Sequence, residues 1–116
     1  MDRILVVDDD RELRGWMREL LTRAGYQVSE AADGNEALKQ LREARLDLVI
    51  LDLVMPEKDG VETLLELRRE FPGLKVIAIS GRDYLAIAEH LGAQETLAKP
   101  FTASELISAV QAVLAD

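Results

Sequence analysis

The chain has 116 residues, no cysteine and a net charge of -8, with 48% hydrophobic and 31% charged residues. This length suits one domain with a real core. The lack of cysteine excludes disulfides and thiolate metal sites and fits a reducing compartment, and the acidic balance argues against direct nucleic-acid binding, which needs basic patches to meet phosphates. The opening "MDRILVV" has neither the basic flank nor the long apolar run of a signal peptide. No stretch nears the roughly 18 apolar residues that cross a bilayer, so a cytoplasmic chain without membrane insertion is expected.

In chain order, "RILVVD" reads as a first strand, and Leu13, Trp16, Met17, Leu20, Leu21 and Ala24 then recur at helical spacing until Gly25. "YQVSEA" is a weaker strand with Tyr26 and Val28 on one face. Asp33 to Ala44 carries an apolar stripe, with Asp33 and Glu36 spaced as a capping box. "LDLVILDLV" is apolar on both faces, as a central parallel strand must be. Asp59 and Gly60 open a third helix, with Val61, Leu64, Leu65 and Leu67 expected inward and Pro72-Gly73 closing it. "LKVIAIS" is a fourth buried strand, Asp83 to Leu91 a short helix and "ETLA" a fifth strand. Thr102 and Glu105 form a T-x-x-E box for a last helix facing inward through Leu106, Ile107, Val110, Val113 and Leu114. Fivefold alternation predicts an α/β domain, a parallel sheet with helices on both faces. Residues 1–116 are expected to form this one domain, with no output domain following it.

Ligands of open parallel sheets bind outside the carboxyl ends of the strands. At those ends stand Asp8, Asp9 and Asp10, then Asp52, then Ser80 with Gly81, and lastly Lys99-Pro100. Three converging carboxylates make a hard oxygen site suited to Mg²⁺. A carboxylate beside such a metal can attack a phosphoryl group and form an acyl phosphate. Lys99 would supply positive charge and the Ser80 hydroxyl a hydrogen bond. Asp10 directly precedes a helix and is read as its N-cap rather than a ligand, and Asp59 likewise. His90 is read as a surface or half-buried residue, and Trp16 as core packing. An EF-hand over "DDDRELRGWMRE" fails because Leu13 stands where glycine is needed, and neither Gly-rich phosphate fingerprint is present.

Together "ILVVDDD", "DLVILDLVMPEKDG", "AISG" and "AKPF" resemble the receiver domain of two-component response regulators, over essentially the whole chain. The resemblance implies a doubly wound (βα)5, flavodoxin-like sheet of strand order 2-1-3-4-5. It implies Asp52 as the phosphoacceptor, Mg²⁺ held by Asp8, Asp9, Asp52 and the backbone carbonyl of Val54, and Ser80 and Lys99 as switch hydroxyl and lysine. A cis peptide bond before Pro100 is also implied, with Val54 and Arg82 flanking the path of hydrolytic water. The implied function is a phosphorylation-dependent switch of bacterial signalling, catalysing only its own phosphorylation and slow dephosphorylation. The implied partners are a sensor histidine kinase or histidine phosphotransfer protein and a downstream protein target. Two features depart from the pattern. Thr96 stands where receivers usually carry Tyr or Phe, leaving Tyr84 as the aromatic substitute, and the last helix lacks the Arg and Lys of a charge-paired dimer. The alternatives are a haloacid-dehalogenase-type phosphatase, disfavoured by Val54 two positions after the nucleophile, and an unphosphorylated receiver-like interaction module.

Overall fold

The computed structural model describes residues 2–54, 60–81 and 85–115. Five strands, β1 (Arg3–Val7), β2 (Gln27–Ala31), β3 (Leu48–Asp52), β4 (Lys75–Ser80) and β5 (Glu95–Ala98), alternate with five helices. The helices are α1 (Arg11–Arg23), α2 (Gly34–Glu43), α3 (Gly60–Glu70), α4 (Leu85–His90) and α5 (Ala103–Ala115). All strand pairs are parallel, in the order β2-β1-β3-β4-β5. This is the doubly wound, flavodoxin-like arrangement expected.

Strand side chains alternate between faces, and the sheet divides its core accordingly. Ile4, Val6, Leu48, Ile50, Ile77 and Ile79 pack with Met17 and Leu21 of α1 and Leu106, Ala109, Val110 and Val113 of α5. Leu5, Val7, Val49, Leu51, Val76 and Ala78 pack with Ala37, Leu38 and Leu41 of α2, Leu64 and Leu67 of α3 and Ala88 of α4. Every residue of β3 is buried, as its unbroken apolar run requires.

Helix ends follow local chemistry. Asp10 caps α1, its carboxylate accepting from the Glu12 and Leu13 amides at 3.0 and 3.2 Å. Thr102 and Glu105 form the reciprocal box of α5, at 3.1 and 2.9 Å. In α2 the Glu36 amide donates to Asp33 at 2.8 Å, but the Glu36 carboxylate accepts from Ala32 rather than Asp33. Gly25, after α1, has φ +100°, a conformation that favours glycine.

Two expectations are corrected. Leu65 is 49% exposed, because the inward stripe of α3 is Gly60, Thr63, Leu64 and Leu67, and Leu65 lies about 100° round from Leu64. Trp16 is 40% exposed and leans on Phe101, ring centroids 6.0 Å apart, because Met17 and Leu21 take the inward positions of α1. The readings on Asp59, Arg82, Asp83 and Tyr84 lie outside the described residues.

The start of α3 is pressed against the end of β3. A Cβ added at Gly60 would stand 2.2 Å from the Asp52 carbonyl oxygen and 2.3 Å from the Leu53 Cα. Those atoms are backbone and cannot yield cheaply. Gly15, inside α1, has nothing within 4 Å of the same added atom. Gly60→Ala is therefore expected to cost about 2 kcal/mol or more through overpacking. Gly15→Ala should instead stabilise by about 0.5–1 kcal/mol through helix propensity. Urea-denaturation midpoints of the two variants check the contrast.

Candidate functional site

Strand register assembles the site. Val7 pairs with Leu51, so Asp8 follows β1 level with Asp52 at the end of β3. Asp52 pairs with Ile79 and Ser80 with Ala98, which puts Ser80 one position beyond Asp52 and Lys99 two. The Lys99 side chain folds back across this stagger. Its Nζ stands 3.2 Å from Asp52 Oδ2 and 3.7 Å from Asp8 Oδ2. The peptide bond between Lys99 and Pro100 is cis, as expected. The Lys99 amide donates to the Ser80 carbonyl at 2.8 Å, tying the lysine to the strand end that carries the hydroxyl.

Asp8, Asp52 and Ser80 are buried, and Asp9 is exposed. Oxygens of Asp8, Asp9 and Asp52 lie within 4.8 Å of one another. The Asp10 amide donates to Asp8 Oδ1 at 2.9 Å, and the Val54 amide to Asp52 Oδ1 at 3.2 Å. Asp8 Oδ2 and Ser80 Oγ are buried without a hydrogen-bond partner among the described residues. Unpaired buried oxygens cost about 1–3 kcal/mol each, and a carboxylate oxygen facing two further carboxylates is what a hard cation satisfies. The donor set therefore fits Mg²⁺.

Burial pushes the Asp8 carboxyl up to about 6, opposed by the Asp10 amide and reinforced by the neighbouring Asp52. For Lys99, burial works against its charge, yet Asp8 and then Asp52 outweigh that and hold the ammonium above its ordinary range. One cation thus serves two buried carboxylates.

The expected residues Asp8, Asp9, Asp52, Ser80 and Lys99 therefore meet at one edge of the sheet. Val54 adjoins them and is 55% exposed. Thr96 sits apart, level with Ala78 on β5. Two contributors went unread in the sequence. Gly60 was noted only as a helix opener, although a glycine beside a capping Asp is itself a hint of close backbone approach. Arg14, whose Nη1 donates to the Asp8 carbonyl at 2.7 Å, carries no motif that marks it.

Two buried carboxylates, an exposed third and one lysine thus stand together at the carboxyl edge of a β2-β1-β3-β4-β5 sheet, the arrangement of a doubly wound α/β receiver. The response regulator receiver domain model matches residues 4–111, and the chain belongs to that family. It is 40% identical over 116 residues to the transcriptional regulatory protein CpxR of Escherichia coli, covering 98% of this chain and 50% of that protein. It is likewise 40% identical to the response regulator MprA of Mycolicibacterium vanbaalenii, covering 97% and 50%. The chain spans about half the length of these curated relatives. Among solved structures it resembles the response regulator TrrA of Thermotoga maritima in complex with Mg²⁺-BeF, at 36% identity and TM-score 0.91, covering 98% of this chain and all of that one. It also resembles the chemotaxis protein CheY4 of Vibrio cholerae, at 32% identity and TM-score 0.90, covering 98% and 99%. The phosphatase alternative gains no support. Among the described residues no helix is long and apolar enough to cross a membrane.

The Asp8 carboxyl sets a pH signature. Folded Asp8 keeps its proton up to about 6, whereas the unfolded carboxyl releases it near 3.8. Between those values the folded state binds more protons, so stability from this group is full below the lower value and lost as pH rises through the upper. In chelator, Asp8→Asn should exceed wild type in stability at pH 7.5 by on the order of 2 kcal/mol. The gap should close towards pH 4. Urea titrations at both pH values check this.

Proposed function

We propose that Asp52 accepts a phosphoryl group from a phosphohistidine of a sensor histidine kinase or a histidine phosphotransfer protein, and that the modified chain changes its affinity for a downstream protein target. The setting is the cytoplasm, and residues 1–116 act as one receiver unit without direct contact to nucleic acid. The observation that carries this reading is the shared lysine: Nζ of Lys99 within 4 Å of both Asp8 and Asp52, at a strand edge where Asp8 Oδ2 has no hydrogen-bond partner among the described residues.

In the transfer, an Asp52 carboxylate oxygen attacks phosphorus, the phosphorus–nitrogen bond to the donor imidazole breaks, and the nitrogen keeps the electron pair. The Val54 amide holds Asp52 Oδ1, so the carboxylate is fixed before the donor arrives. Lys99 already sits at Oδ2 and turns its protons to the phosphoryl oxygens as charge builds on them. Ser80 Oγ, buried with an unused hydroxyl, donates to one of those oxygens and draws its strand end inward. Mg²⁺, held by Asp8, Asp9, Asp52 and the Val54 carbonyl, would supply charge neutralisation at the phosphoryl oxygens. Phosphorylation replaces the single negative charge of the Asp52 carboxylate with a phosphoryl group carrying about -1.5 to -2, beside a second buried carboxylate and one lysine. The new charge biases the equilibrium between two conformers, and the partner selects one. Water later hydrolyses the acyl phosphate, at a rate tuned by Val54 and Arg82. Tyr84 takes the part that Thr96 cannot.

Exposure to a small phosphodonor with Mg²⁺ should add one phosphoryl group by mass spectrometry, and Asp52→Asn should add none. An absence of adduct with every donor would instead favour the interaction-module reading. Mg²⁺ should raise the melting temperature of the wild type, by a free energy of about 2.7 kcal/mol at a hundredfold excess over its dissociation constant. Asp9→Ala should remove that gain in a thermal-shift titration.

A further inference from the structure

We propose that Arg14 is a positioning residue for the acidic loop, held in place by Glu30, and that this pair sets the affinity of the site for Mg²⁺. The inference rests on the reading of Asp8, Asp9 and Asp52 as the cation ligands.

Arg14 lies one helical turn after the cap residue Asp10, and its side chain is only 14% exposed. Its guanidinium makes two bonds that diverge from one planar group. Nη1 donates to the Asp8 carbonyl at 2.7 Å, and Nε donates to Glu30 Oε1 at 2.9 Å. Glu30 lies on β2, and its other oxygen accepts from the exposed Arg18 at 3.1 Å. Gln40 of α2 donates to the Glu30 carbonyl at 2.7 Å, and the Asp8 amide donates to the Ala31 carbonyl at 3.2 Å. The peptide between Asp8 and Asp9 is therefore gripped at the Asp8 carbonyl by α1, while β2 holds the Asp8 amide. Its orientation decides whether the two carboxylates converge.

Two effects of Arg14 have opposite signs, and the geometry says which wins. A cation near the site repels Mg²⁺, so removing Arg14 would tighten binding if charge were its whole effect. Glu30, at 2.9 Å, neutralises that charge, and the bond to the Asp8 carbonyl remains. Loss of a group that orients metal ligands typically weakens binding 10- to 100-fold. Glu30→Gln removes the neutralising charge and loosens the anchor, so both effects then act against Mg²⁺. Arg18 is 58% exposed and bonds the other oxygen of Glu30, away from the Asp8 carbonyl, and serves as the control.

Isothermal titration of the chain with Mg²⁺ tests this, alongside melting temperatures in chelator. Arg14→Met and Glu30→Gln should each weaken binding by about tenfold or more, and Arg18→Met should stay within about twofold of wild type, as expected for an exposed pair. A lowered melting temperature in chelator with an unchanged Mg²⁺ dissociation constant would make the pair merely structural and overturn the proposal. Tighter binding by Arg14→Met would overturn it as well, since charge would then outweigh position. If Arg14→Met fails to fold, the Mg²⁺ affinity of Glu30→Gln decides between the same outcomes. Absence of Mg²⁺ binding by the wild type would instead refute the cation site itself and this role with it.

Discussion

Two carboxylates buried side by side, served by one lysine, are the constraint around which this chain is organised. Asp8 and Asp52 end adjacent central strands, where the dielectric is low and like charges repel strongly. Lys99 offsets one of them at 3.2 Å and reaches only to 3.7 Å from the other. With both ionised, the cluster retains excess negative charge in a place where water cannot disperse it. Such a site stores a standing preference for any cation that approaches. The rest of the fold holds the arrangement against its own repulsion: the register of β1 on β3, the Asp10 and Val54 amides, and the lysine tied to the end of β4.

Strand parity adds a second organising fact. Asp8 and Asp52 continue the rows of Ile4 and Val6 and of Leu48 and Ile50, which face α1 and α5. Ser80 continues the row of Val76 and Ala78, which faces α2, α3 and α4. The acidic groups and the hydroxyl thus approach one point from opposite layers of the molecule. Thr96, two positions below Ser80's level on β5, has no ring. That position of β5 therefore carries a small hydroxyl residue in place of the usual aromatic.

Much of this was legible beforehand, for reasons that can be named. Asp10 and the Thr102–Glu105 box are short-range capping chemistry, and such chemistry is written in adjacent residues. The buried run of β3 is visible because a strand covered on both sides has no polar face. Strand order is a long-range property that alternation leaves open, and it came from family resemblance alone. Leu65 and Trp16 were misplaced because apolar identity does not report how wide an arc of a helix the core covers. Arg14 and Glu30 stand 16 residues apart, and both belong to residue types that are usually solvated. Nothing local distinguishes an ion pair that reaches a site from the many that do not.

The close approach at Gly60 has a mechanical consequence. There is no space for even a methyl group between the start of α3 and the carbonyl of Asp52, so the two backbones are in direct contact. The Gly60 amide also donates to the Leu53 carbonyl at 3.0 Å, fastening the joint. An absent side chain on one helix thus seats the backbone beneath the Asp52 carboxylate directly on its neighbour, and any larger residue at position 60 would push the two apart.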